Sequence, residues 1–154
     1  MLRDSINDAL KDAMKSQDKR RVSTLRLVNA AIKNAEIEAR GAGKEALADD
    51  AILGVLQKMI KQRQESAELY EKGGRPELAA QEREEMEIIS AYLPQQMSDL
   101  EAGSVIQQIV HEINAQGLKD MGRTMTALKE RFAGKMDFAK ASAKVKELLG
   151  GSRS

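Results

Sequence analysis

Apolar residues recur along this chain at intervals of three and four, with Gly and Pro between the runs, and no stretch alternates apolar and polar side chains as a half-buried strand would. That spacing puts one apolar stripe on each of a series of helices and predicts an all-α fold. Leu2, Ile6, Leu10 and Met14 mark the first helix. Asp18 is placed to cap a second, of about 22 residues, with Val22, Leu25, Val28, Ile32 and Ala35 on one side and Gly41 as its stop. Residues 41–49 read as a loop, after which Asp49 or Asp50 caps a third helix carrying Ile52, Leu56, Met59, Ile60, Ala67 and Tyr70, ended by Gly73 and Gly74. Pro76 stands where a fourth helix opens, a position at which its missing N–H costs nothing, and Leu78, Met86, Ile89 and Leu93 carry that helix to Pro94.

Pro94 disfavours helical geometry at Leu93, and the chain divides there. Ser98 and Glu101 form a capping box for a fifth helix with Ile106, Ile109, Val110 and Ile113 inward, closed by Gly117. Asp120 caps a sixth helix with Met121, Met125, Leu128 and Phe132, ended by Gly134. Asp137 starts a seventh with Phe138, Ala141, Val145 and Leu148 or Leu149. The expected organisation is a long-helix N-terminal four-helix region over residues 1–93, a linker at 94–98, a compact three-helix domain at 99–150, and a frayed tail at 151–154.

Composition narrows the chemistry. With no Trp and aromatics at 3%, the core is built from Ala, Leu, Ile, Val and Met, which helix packing uses well. The absence of Cys removes disulfides, thiol nucleophiles and thiolate metal sites. No apolar run approaches the roughly 18 residues that cross a bilayer, and the amphipathic, Asp-bearing first 14 residues are unlike a signal or transit peptide. A cytoplasmic location is the expectation.

A standalone active site is hard to assemble. The one His, His111, lies off the apolar stripe, with Gln107 and Ala115 as its four-residue neighbours, so neither a metal site nor a triad is expected; no catalytic residue and no cofactor is assigned. Gly43-Lys44 fails as a phosphate loop, because Glu38 replaces the required Gly and Glu45 the hydroxyl residue. Glu82, Glu84, Glu85 and Glu87 spread around most of a helix and read as a solvated or ion-paired face. Lys19, Arg20 and Arg21 oppose the macrodipole of the second helix, and pairing with the Glu-rich fourth helix would offset them.

Charge is distributed unevenly. Residues 117–154 hold 9 Lys or Arg against 4 Asp or Glu, whereas the preceding residues hold 16 against 20. Two helix starts in the basic segment suit an anion. At Lys119-Asp120-Met121-Gly122-Arg123, backbone N–H groups, an open Gly position and two cations meet, and Gly134-Lys135-Met136-Asp137 with Lys140 repeats the arrangement. Asp120 and Asp137, as caps, would compete for those donors. Without interleaved aromatics to stack bases, any nucleic acid would be held by backbone and shape.

Arg21-Val22-Ser23-Thr24-Leu25-Arg26, the stretch from Arg75-Pro76-Glu77-Leu78 to Tyr92-Leu93-Pro94, and Met121-Gly122-Arg123-Thr124-Met125 with Gly134 and Val145-Lys146-Glu147-Leu148-Leu149 together resemble the YqeY (GatB/YqeY domain) proteins over nearly the whole chain. The C-terminal part is similar to the tail domain of the B subunit of glutamine-dependent tRNA amidotransferases. The resemblance implies a non-catalytic helical accessory protein related to those carbon-nitrogen ligase systems, whose C-terminal module contacts tRNA. Carried over residue by residue, it implies contacts at Lys119, Gly122, Arg123, Lys135 and Lys140, with Gly134 shaping a turn. Fold likeness alone does not transfer catalysis. The competing expectation is a protein–protein adaptor that docks through the N-terminal helices on an amidotransferase or translation-related partner, with no membrane and no metal involved.

Overall fold

The structure is a computed structural model and describes residues 2–41, 43 and 47–151. Lys44 and Glu45, which bear on the phosphate-loop reading, and residues 152–154 of the tail lie outside the described residues. The protein is all-α: among the described residues there are seven α-helices and no strand, in the order α1 (Leu2–Lys15), α2 (Lys19–Gly41), α3 (Asp49–Lys72), α4 (Pro76–Ser90), α5 (Asp99–Glu112), α6 (Met121–Phe132) and α7 (Phe138–Gly151), with a 3-10 turn at Leu118–Asp120 before α6. They form two compact units, one ending at Pro94 and the other beginning at Gln95.

In the N-terminal unit Ile6, Leu25, Val28, Ile32, Leu56 and Ile89 are fully buried around one core. Met14, expected on the inner stripe of α1, is 51% exposed, and Ala13 is buried instead. Steps of four residues advance about 40° per step around a helix, so after Ile6 the inward line passes to Ala13, seven residues on, and leaves Met14 outside. Asp18 does cap α2, accepting from the Arg21 N–H at 3.2 Å. At α3 the N-cap is Ala48 and makes no side-chain bond; Asp49 and Asp50 fall inside the first turn, where their charge complements the macrodipole. Helix α4 stops at Ser90 and not at Pro94: the N–H groups of Tyr92 and Leu93 turn back to the Ile89 and Ser90 carbonyls, before the restriction imposed by Pro94.

Three helices end alike. Gln17, Gly74 and Asn114 have φ of 58°, 75° and 55°, and the residue after each donates to a carbonyl five positions back, as in Asp18 to Ala13, Arg75 to Tyr70 and Ala115 to Val110. Asn114, not Gly117, therefore closes α5, since Asn tolerates the left-handed region and Gly117 is extended.

Burial in the C-terminal unit centres on Ile106, Ile109, Leu128, Met136, Val145 and Leu149. Ser98 and Glu101 complete the capping box at α5. Asp120 occupies the N-cap position of α6, but its side chain makes no cap; the carboxylate turns back to accept from the Gln116 N–H at 2.8 Å. After α6, Ala133 (φ −52°, ψ 129°) and Gly134 (φ 76°) form a turn closed by the Lys135 N–H on the Phe132 carbonyl at 3.0 Å. Those angles are type II, which asks for Gly at its third position.

The Glu-rich face of α4 is less uniform than its sequence. Glu84 pairs with Arg20 at 3.4 Å, as the internal-pairing reading anticipates, and Arg83 pairs with Glu71. Glu85 is nearly buried, 3.4 Å from the Arg63 guanidinium, which also donates to the Met59 carbonyl at 3.2 Å. Burial first, then the Glu85 carboxylate, pushes the Glu82 carboxyl above the ordinary range, with Arg63 opposing.

Two outcomes follow from this packing. Gly134→Ala should destabilise the chain by about 1–2 kcal/mol, because Cβ penalises the left-handed region, and urea unfolding would show a lowered midpoint. Glu82 binds its proton more tightly when folded, so its contribution to stability is present at low pH and lost as pH rises through the raised value. Glu82→Gln should accordingly raise the thermal midpoint at neutral pH, the gain shrinking to nothing as pH falls below the ordinary Glu range.

Candidate nucleic-acid interface

The five residues singled out in the C-terminal unit fall into two sets. Lys119 lies on the 3-10 turn and Gly122 and Arg123 in the first turn of α6, whereas Lys135 sits in the α6–α7 turn and Lys140 in the first turn of α7. Helices α6 and α7 run antiparallel and pack on each other, and a Cβ placed on Gly150 would meet the Leu118 side chain at 3.9 Å, so the first set lies beside the last turn of α7. The ten residues from Lys140 to Gly150 then separate the sets by about 15 Å. The structure does not bring all five together.

Within the first set the chemistry differs from a bare anion seat. Arg123 donates to the Ile113 carbonyl at 2.8 Å and to the Asp120 carboxylate at 3.2 Å. It closes the carbonyl end of α5 and is engaged in holding the turn. The Gln116 N–H first, then Arg123, hold the Asp120 carboxyl below the ordinary Asp range. Gly122 is exposed, and a Cβ there would meet nothing within 4 Å, so the position is open to an approaching ligand. Lys119 is exposed beside it.

Of the second set, Lys140 lines a groove. Its volume is 420 Å³; Asp99, Ala102 and Gly103 of α5 form one wall, Lys140, Ala141 and Lys144 of α7 the other, and Ile106 and Met136 the floor. Two links to main-chain carbonyls fix it: the Met97 backbone N–H donates to the Lys135 carbonyl at 2.8 Å, and the Gln96 side-chain amide to the Gly134 carbonyl at 2.6 Å. Asp137 caps α7, accepting from the N–H groups of Ala139 at 2.9 Å and Lys140 at 3.3 Å, so these donors are engaged by the protein. Lysine ammonium groups, not bare amides, are therefore what this end offers an anion. Among the described residues no carboxylate ion-pairs with Lys119, Lys135, Lys140 or Lys144. Lys144 was missed by the sequence reading; its spacing of four from Lys140 was visible, but that α5 packs against this part of α7 was not.

His111 is exposed on α5, and among the described residues no group of three or more His, Asp or Glu could hold a metal. No helix among them is long and apolar enough to cross a membrane.

Comparison with known proteins adds a family. The YqeY model, described as Yqey-like protein, matches residues 3–149. Proteins named Altered inheritance of mitochondria protein 41, mitochondrial, are similar: the one from Eremothecium gossypii is 37% identical over 84 residues, covering 54% of this chain and 44% of its own length. That of Lachancea thermotolerans is 40% identical over 86 residues, 56% of this chain and 44% of its own. A longer match, from Pyrenophora tritici-repentis, is 26% identical over 147 residues, 92% of this chain and 77% of the relative. In the first two the matched segment thus spans less than half of the relative.

The Asp120 network has a measurable signature. A depressed carboxyl pKa stabilises the fold above the ordinary Asp range and loses that contribution as pH falls through the depressed value. Asp120→Asn should lower the melting temperature at neutral pH, and the gap from the unmodified chain should close as the solution is acidified.

Proposed function

Because the chain belongs to the YqeY-like family, with two helical units, no metal cluster among its described residues and exposed lysines on its C-terminal unit, we propose that it is a non-catalytic accessory protein that holds tRNA by its phosphate backbone. The observation that carries this reading is the division of labour among cations: in this unit Arg123 and Arg131 are tied to Asp120 and Glu112, while Lys119, Lys135, Lys140 and Lys144 have no such partner among the described residues. Unpaired surface ammonium groups release counterions from a polyanion at little cost to the fold. The two sets of lysines, about 15 Å apart along α7, suit a folded RNA surface that touches both ends of the unit rather than a small anion seated at one. Asp99 and Asp137 in the groove limit the affinity and orient the backbone away from the α7 cap.

In this reading Lys119, Lys135, Lys140 and Lys144 contact phosphates, Gly122 leaves room, and Arg123 and Gly134 shape the surface. A role beside glutamine-dependent amide transfer on tRNA, in the cytoplasm, belongs to the same proposal; the word mitochondrial in the relatives' names describes those proteins.

Anisotropy titration of labelled bulk tRNA against the full chain tests it. Replacing Lys135, Lys140 and Lys144 together by Ala should weaken binding by about tenfold and flatten the slope of log affinity against log salt by roughly 2. Unchanged affinity and slope would overturn the reading.

A further inference from the structure

The N-terminal unit carries a second cationic surface that the RNA reading does not use. Lys19, Arg26, Lys33 and Arg40 recur every seven residues along α2, and all four are exposed. A straight helix drifts only about 20° per seven residues, so the four form one line about 30 Å long. The isolation of Arg26 and Arg40 is unusual among the arginines of this protein. Arg3, Arg20, Arg63, Arg75, Arg83 and Arg131 pair with carboxylates, and Arg21 donates to the Tyr92 hydroxyl at 3.4 Å. Neither Arg26 nor Arg40 has a side-chain partner among the described residues.

Beside this line runs an apolar one. Leu27, Ala30, Asn34 and Ile37 follow the alternating three-and-four spacing of a helix seam, yet they face outward: Leu27 is 47% and Ile37 56% exposed. At the head of the seam a notch of 490 Å³ between α1 and α2 is lined by Met14 and Val22 together with Lys19 and Arg26. Met14 itself is 51% exposed. An apolar seam with a notch at one end, bordered by cations at the same period, has the form of half of a helix pair.

We propose that this outward face of α2 docks an acidic amphipathic helix of a partner protein, with apolar residues at three-and-four spacing on its seam and Asp or Glu every seven residues on the flank that meets Lys19, Arg26, Lys33 and Arg40. Charge selects this occupant. A second copy is a poor match, because on the other flank of the seam Thr24 is buried, Ala31 half-buried and Glu38 exposed, one carboxylate for four cations. An anionic membrane would want a broad apolar face, and this one is interrupted by Ser23 and Asn34. Nucleic acid would use the cations but not the exposed Leu27 and Ile37. Asn34 fixes register, since a buried polar side chain on a seam tolerates few alignments.

The test is a titration, without RNA and therefore independent of the tRNA reading, of the full chain with two labelled synthetic helices of about 25 residues. Both carry the same apolar seam, one with Glu on its flanks and the other with Lys. The Glu helix should bind and the Lys helix should not. R26E/K33E should weaken the Glu helix by about tenfold or more and admit the Lys helix, while L27A/I37A weakens binding without reversing the preference. Equal binding of both helices, an unchanged Glu-helix affinity in R26E/K33E, or a dimer of the chain in sedimentation velocity that R26E/K33E dissolves would each overturn the proposal. If R26E/K33E loses its helical circular dichroism, K33A/R40A gives the same readout, with an unchanged affinity again counting against it.

Discussion

The groove of the C-terminal unit depends on two carbonyls. Gly134, in the left-handed region, turns the chain so that its own carbonyl and that of Lys135 accept from Gln96 and Met97, the residues leading into α5. This clamp lays the start of α5 beside the start of α7. Together with the shared core of Ile106, Ala141 and Val145, it sets Ala102 and Gly103 opposite Lys140 and Lys144 across the groove. Uncharged donors on backbone carbonyls suit the purpose because they fix position without consuming a charged side chain. Gly is needed at the turn for conformation, not for contact with a ligand, so its role in any binding is indirect.

Arginine and lysine are sorted by use. The ion pairs described above are made by guanidinium groups: Arg63 reaches both Glu85 and a carbonyl of its own helix, and Arg123 joins the Asp120 carboxylate to the end of α5. A planar fork with several donors satisfies two acceptors at once, whereas an ammonium on a flexible stem stays hydrated. The exposed lysines accordingly carry charge that these ion pairs do not use. Arg26 and Arg40 break this rule, and they do so on one helix face at one period, which is why that face reads as a docking surface and not as ordinary solvated charge.

Much of the fold is legible in the spacing of apolar residues. The positions of the helices, the capping box at Ser98 and the cap at Asp18 follow from local chemistry that involves neighbours within one turn. What the spacing leaves open is non-local. Ala13 displaces Met14 from the core because the helix rotates against its partners, a drift that counting by fours ignores. Thr24, fully buried with no hydrogen-bond partner for its hydroxyl among the described residues, carries no mark in the sequence that separates it from a surface Thr. Asp120 is a natural cap by position, yet the preceding 3-10 turn offers it the Gln116 N–H, and Arg123 completes that alternative. The same contacts tie the Arg123 guanidinium to acceptors of the fold, which its place in the sequence does not show.

Regional net charge shows the same limit. The C-terminal segment is basic and the N-terminal one acidic, which directs attention to α6 and α7. The acids that make the N-terminal total negative, however, lie partly on α3 and α4, where Glu71, Glu77, Glu84 and Glu85 are held by Arg83, Arg75, Arg20 and Arg63. Paired charges cancel locally and project little field. Among the described residues the four cations on α2 have no ion-pair partner, so a segment that is acidic in sum presents a cationic line to a partner. At a Debye length of about 8 Å in physiological salt, that partner senses the face it approaches and not the total. Recognition by this unit is therefore set by the angular position of charges around α2, a quantity fixed by the seven-residue period and invisible to any count.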